Sequence, residues 1–446
     1  MTHFGKISAG LLLSTALAGS AFADTITMWT MEEQPDRMAA QERIAGAFKA
    51  KTGHEVKVVP VTEKDIATRA TAAFAAGDLP DVLNHTVQHL LPFASAGMLD
   101  SGAASEVVEN LGAGSFAAGP LGMASVEGEV VSVPTDGWTQ LVVYRKDLFE
   151  ANGLAAPASF ADVQAAMAKL HNPPEMYGFV AATKIDETYM MQLIEHISLA
   201  AGYTPVNADG SVNEDTGALK TVLEFYKSIA DASPEGDLYW KQSREQYLGG
   251  NAAMIIWSPS LLDELGGLRD SAPVTINDDP TTKELAQNTG FVTVFSGGDN
   301  ADGAAYADVR YLGITADANT DVAQQFVEFV LSEGYGDWLG MAPEGKFPVR
   351  NGPSAGSTEY QTVWSSLPTG VDRKEPLSNI YPAGVIADIV AGLSVADRWG
   401  VADGQLETAS KMVNARIMSQ AIRKYIDGEI DVDAAAAMIV DGHKNL

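Results

Sequence analysis

The apolar positions of the chain open as an alternation of short strand-like runs and helical periodicity. "TITMWT" (25–30) is a β-rich run, "RMAAQERIAGAFKAKTG" (37–53) places apolar residues at helical spacing and stops at Gly53, and "EVKVVPV" (55–61) alternates as a strand. A second helical stretch, "KDIATRATAAFAAG" (64–77), ends at Gly77 and leads into the buried-strand run "LPDVLNHT" (79–86). This β-α-β-α-β order predicts a mostly parallel sheet with helices on its faces.

The middle of the chain forms a second α/β region. "EVVSVPTDGWTQLVVYRKDLFEANGL" (129–154) reads as strand, loop, strand and short helix. "SFADVQAAMAKL" (159–170) reads as a helix with Ser159 as N-cap and Asp162 as the acidic member of a capping box. Further helices are expected at 188–201, 216–231 and 242–248, a strand at 252–257, a strand-like run at 311–314 and one long amphipathic helix at 321–340. The C-terminal stretch is mainly helical. No fixed-period repeat and no low-complexity linker divides the chain, so the two α/β regions are expected to be interleaved by several crossings of one hinge. In open α/β sheets ligands bind outside the carboxyl ends of strands, which says where to look.

The N-terminus has a different pattern. Lys6, an apolar run from Ile7 to Ala18 and the small-residue site Ala21-Phe22-Ala23 read as a cleavable signal peptide, with the mature chain starting near Asp24. No Cys is present to carry a lipid, and no later stretch approaches the ~18 apolar residues of a membrane span, so a soluble periplasmic protein without membrane insertion is expected. Without Cys the fold must be held by its core, for which about 420 residues are ample, in more than one domain. The 29 basic and 58 acidic residues give a charge of −29, which disfavours nucleic acid and anionic lipid as partners and names none.

Four segments resemble the extracellular solute-binding proteins of family 1, the sugar-binding receptors of ABC importers. They are "AFKAKTGHEVKVVPV" with "AAFAAGDLPDVLNHTVQHLLPFASAGMLD" (47–100), "VVSVPTDGWTQLVVYRKDLFEANGLAAPASFADVQ" (130–164), "EQYLGGNAAMIIW" (245–257), and "YLGITADANTDVAQQFVEFVLSEGYGDWLG" through "KFPVRN" (311–351). The resemblance implies the α/β, two-lobed periplasmic binding protein fold (type II), of the maltose-binding kind, with a hinge and a ligand cleft between the lobes. It implies one lobe of roughly 24–134 and 311–346 and another of roughly 135–310 and 347–446. It further implies a monomer without a cofactor or metal that hands a small carbohydrate to the permease subunits of an ABC transporter.

A sugar receptor needs aromatic faces for the ring and planar polar groups for the hydroxyls, since charge-assisted bonds are the stronger ones. After the first strand, Glu33 and Gln34 are cleft candidates, while Trp29 reads as core. After the third strand come His85, Thr86 and Gln88; a zinc site on His85 and His89 is not expected, because neither Cys nor H-E-x-x-H accompanies them. Asp136, Trp138 and Thr139 form a polar-plus-aromatic cluster, with a β-turn at Asp136-Gly137 as the equal alternative. The second region offers Thr183, Lys184 and Tyr189 at a strand-to-helix junction, Trp257 and Ser258 at a strand end, and Trp240 in a helical context. Asp308, Arg310 and Arg350 lie near the hinge and serve either a ligand or an interlobe salt bridge.

Two other functions compete. A glycosidase would need a carboxylate pair, and with 58 acidic residues such a pair can be drawn anywhere, so composition lends it nothing. A receptor for a polyamine, a glycerol phosphate or an anionic sugar keeps the same fold; the Trp and acidic residues suit a neutral or cationic ligand, and Arg310, Arg350 and Lys184 an anion.

Overall fold

The computed structural model of the protein describes residues 23–446 except 127, 186 and 187. The stretch read as a signal peptide lies, up to residue 22, outside the described residues. Strand β1 (Thr25–Thr30) is followed by helix α1 (Pro35–Thr52), β2 (Glu55–Pro60), β3 (Val82–Thr86) and α2 (Val87–Ser95). As the pattern predicts, β1 pairs in parallel with both β2 and β3. Helix α1 stops because Gly53 turns left-handed at φ +87° and returns its N–H to Lys49 O. Its inner face sets Phe48 edge-on against Phe326, 5.3 Å between centroids. Both sheet faces are covered: Met28 and Val82 enter the main core, while Met31 and Leu83 enter a satellite core with Ile66 and Phe93.

Next come β4 (Val133–Thr139) and β5 (Leu141–Arg145), with Gln140 alone between them. The Asp136-Gly137 turn does not form; both residues lie inside β4. Gly137 fits there because a Cβ would come within 2.9 Å of the Asp308 carbonyl oxygen on the neighbouring strand. Helices α3 (Tyr189–Ala200) and α4 (Trp240–Leu248) precede β6 (Met254–Trp257) and β7 (Thr289–Val292). Strands β6, β5 and β7 form an antiparallel sheet in that order. At the capped helix Phe160–Leu170, Ser159 accepts the Asp162 N–H at 3.2 Å and donates its hydroxyl to the Asp162 carboxylate at 2.6 Å.

Strand β8 (Asn300–Ile314) is far longer than the 311–314 run that the sequence announces. The part before that run, "NADGAAYADVR", opens on turn-type Asn, Asp and Gly, and most of its apolar residues are Ala, so it does not read as a strand. It begins against Phe295–Gly297 and ends antiparallel to β3 and β4, so it passes from one side of the molecule to the other. With β9 (Phe347–Pro348) the first sheet has the order β9-β4-β8-β3-β1-β2. Along this order it is parallel at β2-β1-β3 and antiparallel elsewhere, and off it the strand Ala396–Asp397 pairs in parallel with β8, so the sheet is mixed overall. The long helix expected at 321–340 is two helices, Thr320–Val330 and Tyr335–Leu339, broken where Gly334 packs so closely that a Cβ would meet Ile44 at 3.2 Å.

The chain leaves the first sheet at Gln140, whose N–H donates to Tyr306 O at 3.0 Å and whose Oε1 lies 3.1 Å from His196 Nδ1. The crossing strand β8 and the Gln140 crossing are thus bonded side by side. After α5 (Leu406–Ala415) and α6 (Ile417–Ile426) the chain ends in the helix Val432–Lys444.

Candidate ligand cleft

Strand alternation places Tyr306, Asp308 and Arg310 on one face of β8. Register sets Asp308 opposite Trp138, and Arg310 opposite both Asp136 and Thr86. Trp138 tilts against Tyr306, 5.9 Å between ring centroids. Asp308 and Arg310 are half-buried, and Arg310 reaches Glu63 at 3.7 Å. On the other side of Tyr306 the Arg398 guanidinium lies 4.5 Å from the ring and holds both Glu195 oxygens, at 2.7 and 3.1 Å. A cavity of about 240 Å³ opens here, lined by Gln88, His89, Glu195, Arg398 and Trp399. Burial and the nearby Arg310 charge pull the His89 imidazole down to about 4, so it is neutral at physiological pH.

Other predicted residues serve the framework beneath this row. Asp136 is buried and accepts from Trp338 Nε1 at 2.8 Å, Thr135 Oγ1 at 2.9 Å and Lys346 Nζ at 3.2 Å. Lys346 also holds Glu32, at 2.5 Å, and Arg37 holds the other Glu32 oxygen at 2.6 Å. Burial alone would raise the Glu32 carboxyl, yet Lys346 and Arg37 bring it down to about 2. His85 is buried, with Nε2 2.9 Å from Ser132 Oγ, Nδ1 2.9 Å from Thr86 O and its ring stacked on Tyr311. Thr86 caps α2 by a reciprocal contact with His89, Oγ1 to Nδ1 3.1 Å. Arg350 is 1% exposed and donates to Ser115 Oγ at 3.1 Å, Leu111 O at 2.8 Å and Leu331 O. Thr139 is buried as well, while Glu33 and Gln34 are exposed at the start of α1.

The second sheet carries an aromatic cluster. Trp257, the last residue of β6, pairs with Leu141 at the start of β5, two residues past Thr139. The Tyr189 ring stands edge-on to it at 4.4 Å, Trp240 lies parallel to it at 6.2 Å, and Tyr239 meets Trp240 edge-on at 5.6 Å. Trp257 Nε1 donates to Ser260 Oγ at 3.1 Å, and that hydroxyl lies 2.8 Å from Ser258 Oγ. Tyr189, Tyr239 and Trp240 line a cavity of about 400 Å³ with Lys184, Thr188 and Arg416, within the size range of small-molecule sites. Behind it the Arg244 guanidinium lies 4.9 Å from the Trp240 ring and pairs with buried Glu264 at 2.6 Å.

Two groups thus flank the Gln140 crossing: Trp138, Asp308 and Arg310 with Gln88 on one side, Tyr189, Trp257 and Ser258 on the other. Tyr239, Tyr306, Glu195, Arg398 and Arg416 escape sequence reasoning. The adjacent aromatics of "DLYWKQ" were a usable signal for Tyr239 and Trp240; nothing local marks Arg398 or Arg416.

The family model of the bacterial extracellular solute-binding protein matches residues 32–337. A protein of Escherichia coli (strain K12) named as the ABC transporter periplasmic-binding protein YcjN is 25% identical over 329 residues, 72% of each chain. Among solved structures, the GacH receptor of Streptomyces glaucescens GLA.O, determined unliganded and with acarbose, is similar with a TM-score of 0.65 at 17% identity, covering 95% of this chain and 98% of the other. The cyclic alpha-maltosyl-1,6-maltose binding protein from Arthrobacter globiformis is similar with a TM-score of 0.71 at 15% identity, covering 95% and 99%.

Proposed function

Because the chain belongs to the family of bacterial extracellular solute-binding proteins, we propose that it captures a carbohydrate between its two lobes and delivers it to the permease of an ABC importer. The observation that carries this reading is the pairing of an aromatic pocket with a polar row across one crossing of the chain. Tyr239 and Trp240 offer ring faces, and Asp308, Arg310 and Gln88 offer hydroxyl partners. The receptors for acarbose and cyclic maltosyl-maltose, which share this fold, support a sugar as the cargo, and the name of the Escherichia coli relative supports the importer.

The lobes meet at three crossings: at Gln140, along β8 near Ala307, and after β9, where Asn351 N–H still bonds Ser115 O of the first lobe. A ligand touching both lobes favours the closed state over the open one by its differential contacts, and the permease reads that state. The chain works as an exported monomer, by binding without bond cleavage. Gly352-Pro353-Ser354-Ala355-Gly356 has the G-x-S-x-G spacing of a hydrolase elbow, but it lies in a run of bends and turns set apart from both β9 and the helix Glu359–Ser365, not on a sharp strand-to-helix turn.

Isothermal titration of the mature chain against a panel of mono- and oligosaccharides tests the reading, paired with small-angle scattering. Binding of at least one member with a fall in radius of gyration is expected. Saturation without compaction rejects hinge closure, and silence across the panel rejects a carbohydrate cargo.

A further inference from the structure

Two cations converge on the pocket beside Trp240. Lys184 and Arg416 line it together with Tyr189 and Tyr239, and the Lys184 ammonium lies 5.0 Å from the Tyr239 ring. Among the described residues neither is paired with a carboxylate, whereas Arg244 and Arg398 are each held by one and Lys346 by two. Both cations stand on one cavity of a chain that has 58 acidic residues against 29 basic.

Arg416 adds an independent observation. It joins α5 to α6 at φ +56°, and it is the one non-glycine residue with positive φ among the described residues; the other such positions hold glycine. A glycine would make this left-handed junction without strain, and an L side chain makes it at a cost. The residue that bears the cost lines the pocket, and backbone strain of this kind gathers at functional sites.

We propose that this pocket selects a carbohydrate carrying a negative charge, a carboxylate or a phosphate, with the sugar ring against Trp240 and the anion between Lys184 and Arg416. The proposal rests on the carbohydrate reading above and narrows its ligand. A guanidinium presents a planar fork to the paired oxygens of an anion, and an ammonium adds a point charge. An anionic ligand would give both cations a counter-charge as closure removes their water.

The test is calorimetric titration of the mature chain with matched pairs: glucuronate against glucose, galacturonate against galactose, and glucose 6-phosphate as the phosphate arm. The acidic member should bind at least about ten-fold tighter and lose that margin as salt rises. Lys184→Gln and Arg416→Gly should each weaken the acid more than the neutral sugar. Arg416→Gly should melt no lower than the parent, which separates lost recognition from lost folding. A uronate that outbinds the phosphate names a carboxylate as the anion, and the reverse names a phosphate. Neutral sugars binding as tightly as their acids would overturn the proposal and leave the carbohydrate reading standing. An Arg416→Gly variant with undiminished preference for the acid would overturn it equally, and failure of every sugar, charged or neutral, removes both.

Discussion

Glu344 and Lys346 stand two residues apart and are held by opposite sides of the molecule. Glu344 Oε1 lies 3.7 Å from Arg269 Nη2, on the segment that follows β6 of the second sheet. Lys346 Nζ lies 2.5 Å from Glu32 and 3.2 Å from Asp136, at the carboxyl end of β1 and within β4 of the first. The segment just before β9 is therefore tied by charge to both sides, with unequal strength: Lys346 is 3% exposed between two carboxylates, and the Arg269 contact is longer and partly solvated.

That inequality sets the first expectation. Lys346→Met leaves Glu32 and Asp136 buried with less counter-charge and should cost about 3–5 kcal/mol of unfolding free energy. Glu344→Gln should cost no more than about 1 kcal/mol, since a longer, partly exposed pair contributes little. Urea unfolding of both variants checks the order; equal costs would remove the distinction.

Glu32 predicts loss of stability in acid. Its carboxyl is held at about 2, below the ordinary 4.5, so the native state binds fewer protons than the unfolded chain between those values. The contribution is present above about pH 4.5 and is lost as pH falls toward 2, about 3 kcal/mol in all. A Glu32→Gln variant should have a flatter stability profile over this window.

The buried pair Asp263–Glu264 carries the opposite sign. Burial, with Glu344 nearby, raises Asp263 to about 6, and burial raises Glu264 to about 7 even against Arg244. The native state therefore holds more protons than the unfolded chain between about pH 4 and 7, and stability falls as pH rises through that window. Glu264→Gln should remove much of this slope, read from melting temperatures across pH 4–8; an unchanged slope would place its source elsewhere.

Trp240→Ala should weaken carbohydrate binding by about ten-fold or more, because stacked aromatic surface is lost from the pocket. Trp240 is 39% exposed, so the melting temperature should shift far less than the affinity. A comparable fall in both would make Trp240 a packing residue.

Arg350→Lys should destabilise although it keeps the charge. One guanidinium serves Ser115 Oγ and the Leu111 and Leu331 carbonyls, and a single ammonium cannot reach all three. A loss of about 1–3 kcal/mol in chemical unfolding is expected, with ligand affinity little changed.

The periodic pattern alone determined the first β-α-β-α-β unit, the stops at Gly53 and Gly77 and the cap at Ser159, because each rests on interactions within a few residues. Tyr189 and Trp257, singled out from loop contexts and the family resemblance, meet edge-on in the structure, and Trp138 and Arg310 lie on the paired strands β4 and β8. What the pattern could not distinguish was a polar residue facing a cleft from one consumed inside. Asp136, His85 and Arg350 have the chemistry of ligand contacts, and their partners Lys346, Ser132 and Leu111 lie tens to hundreds of residues away. Likewise β8 reaches its full length because β3 and β4 satisfy the backbone of its second half; the alternation at 307–311 is too short to announce it, and 300–303 shows none. Local sequence decides local geometry, and the tertiary structure decides which polar groups remain unsatisfied, since that depends on what folding brings beside them.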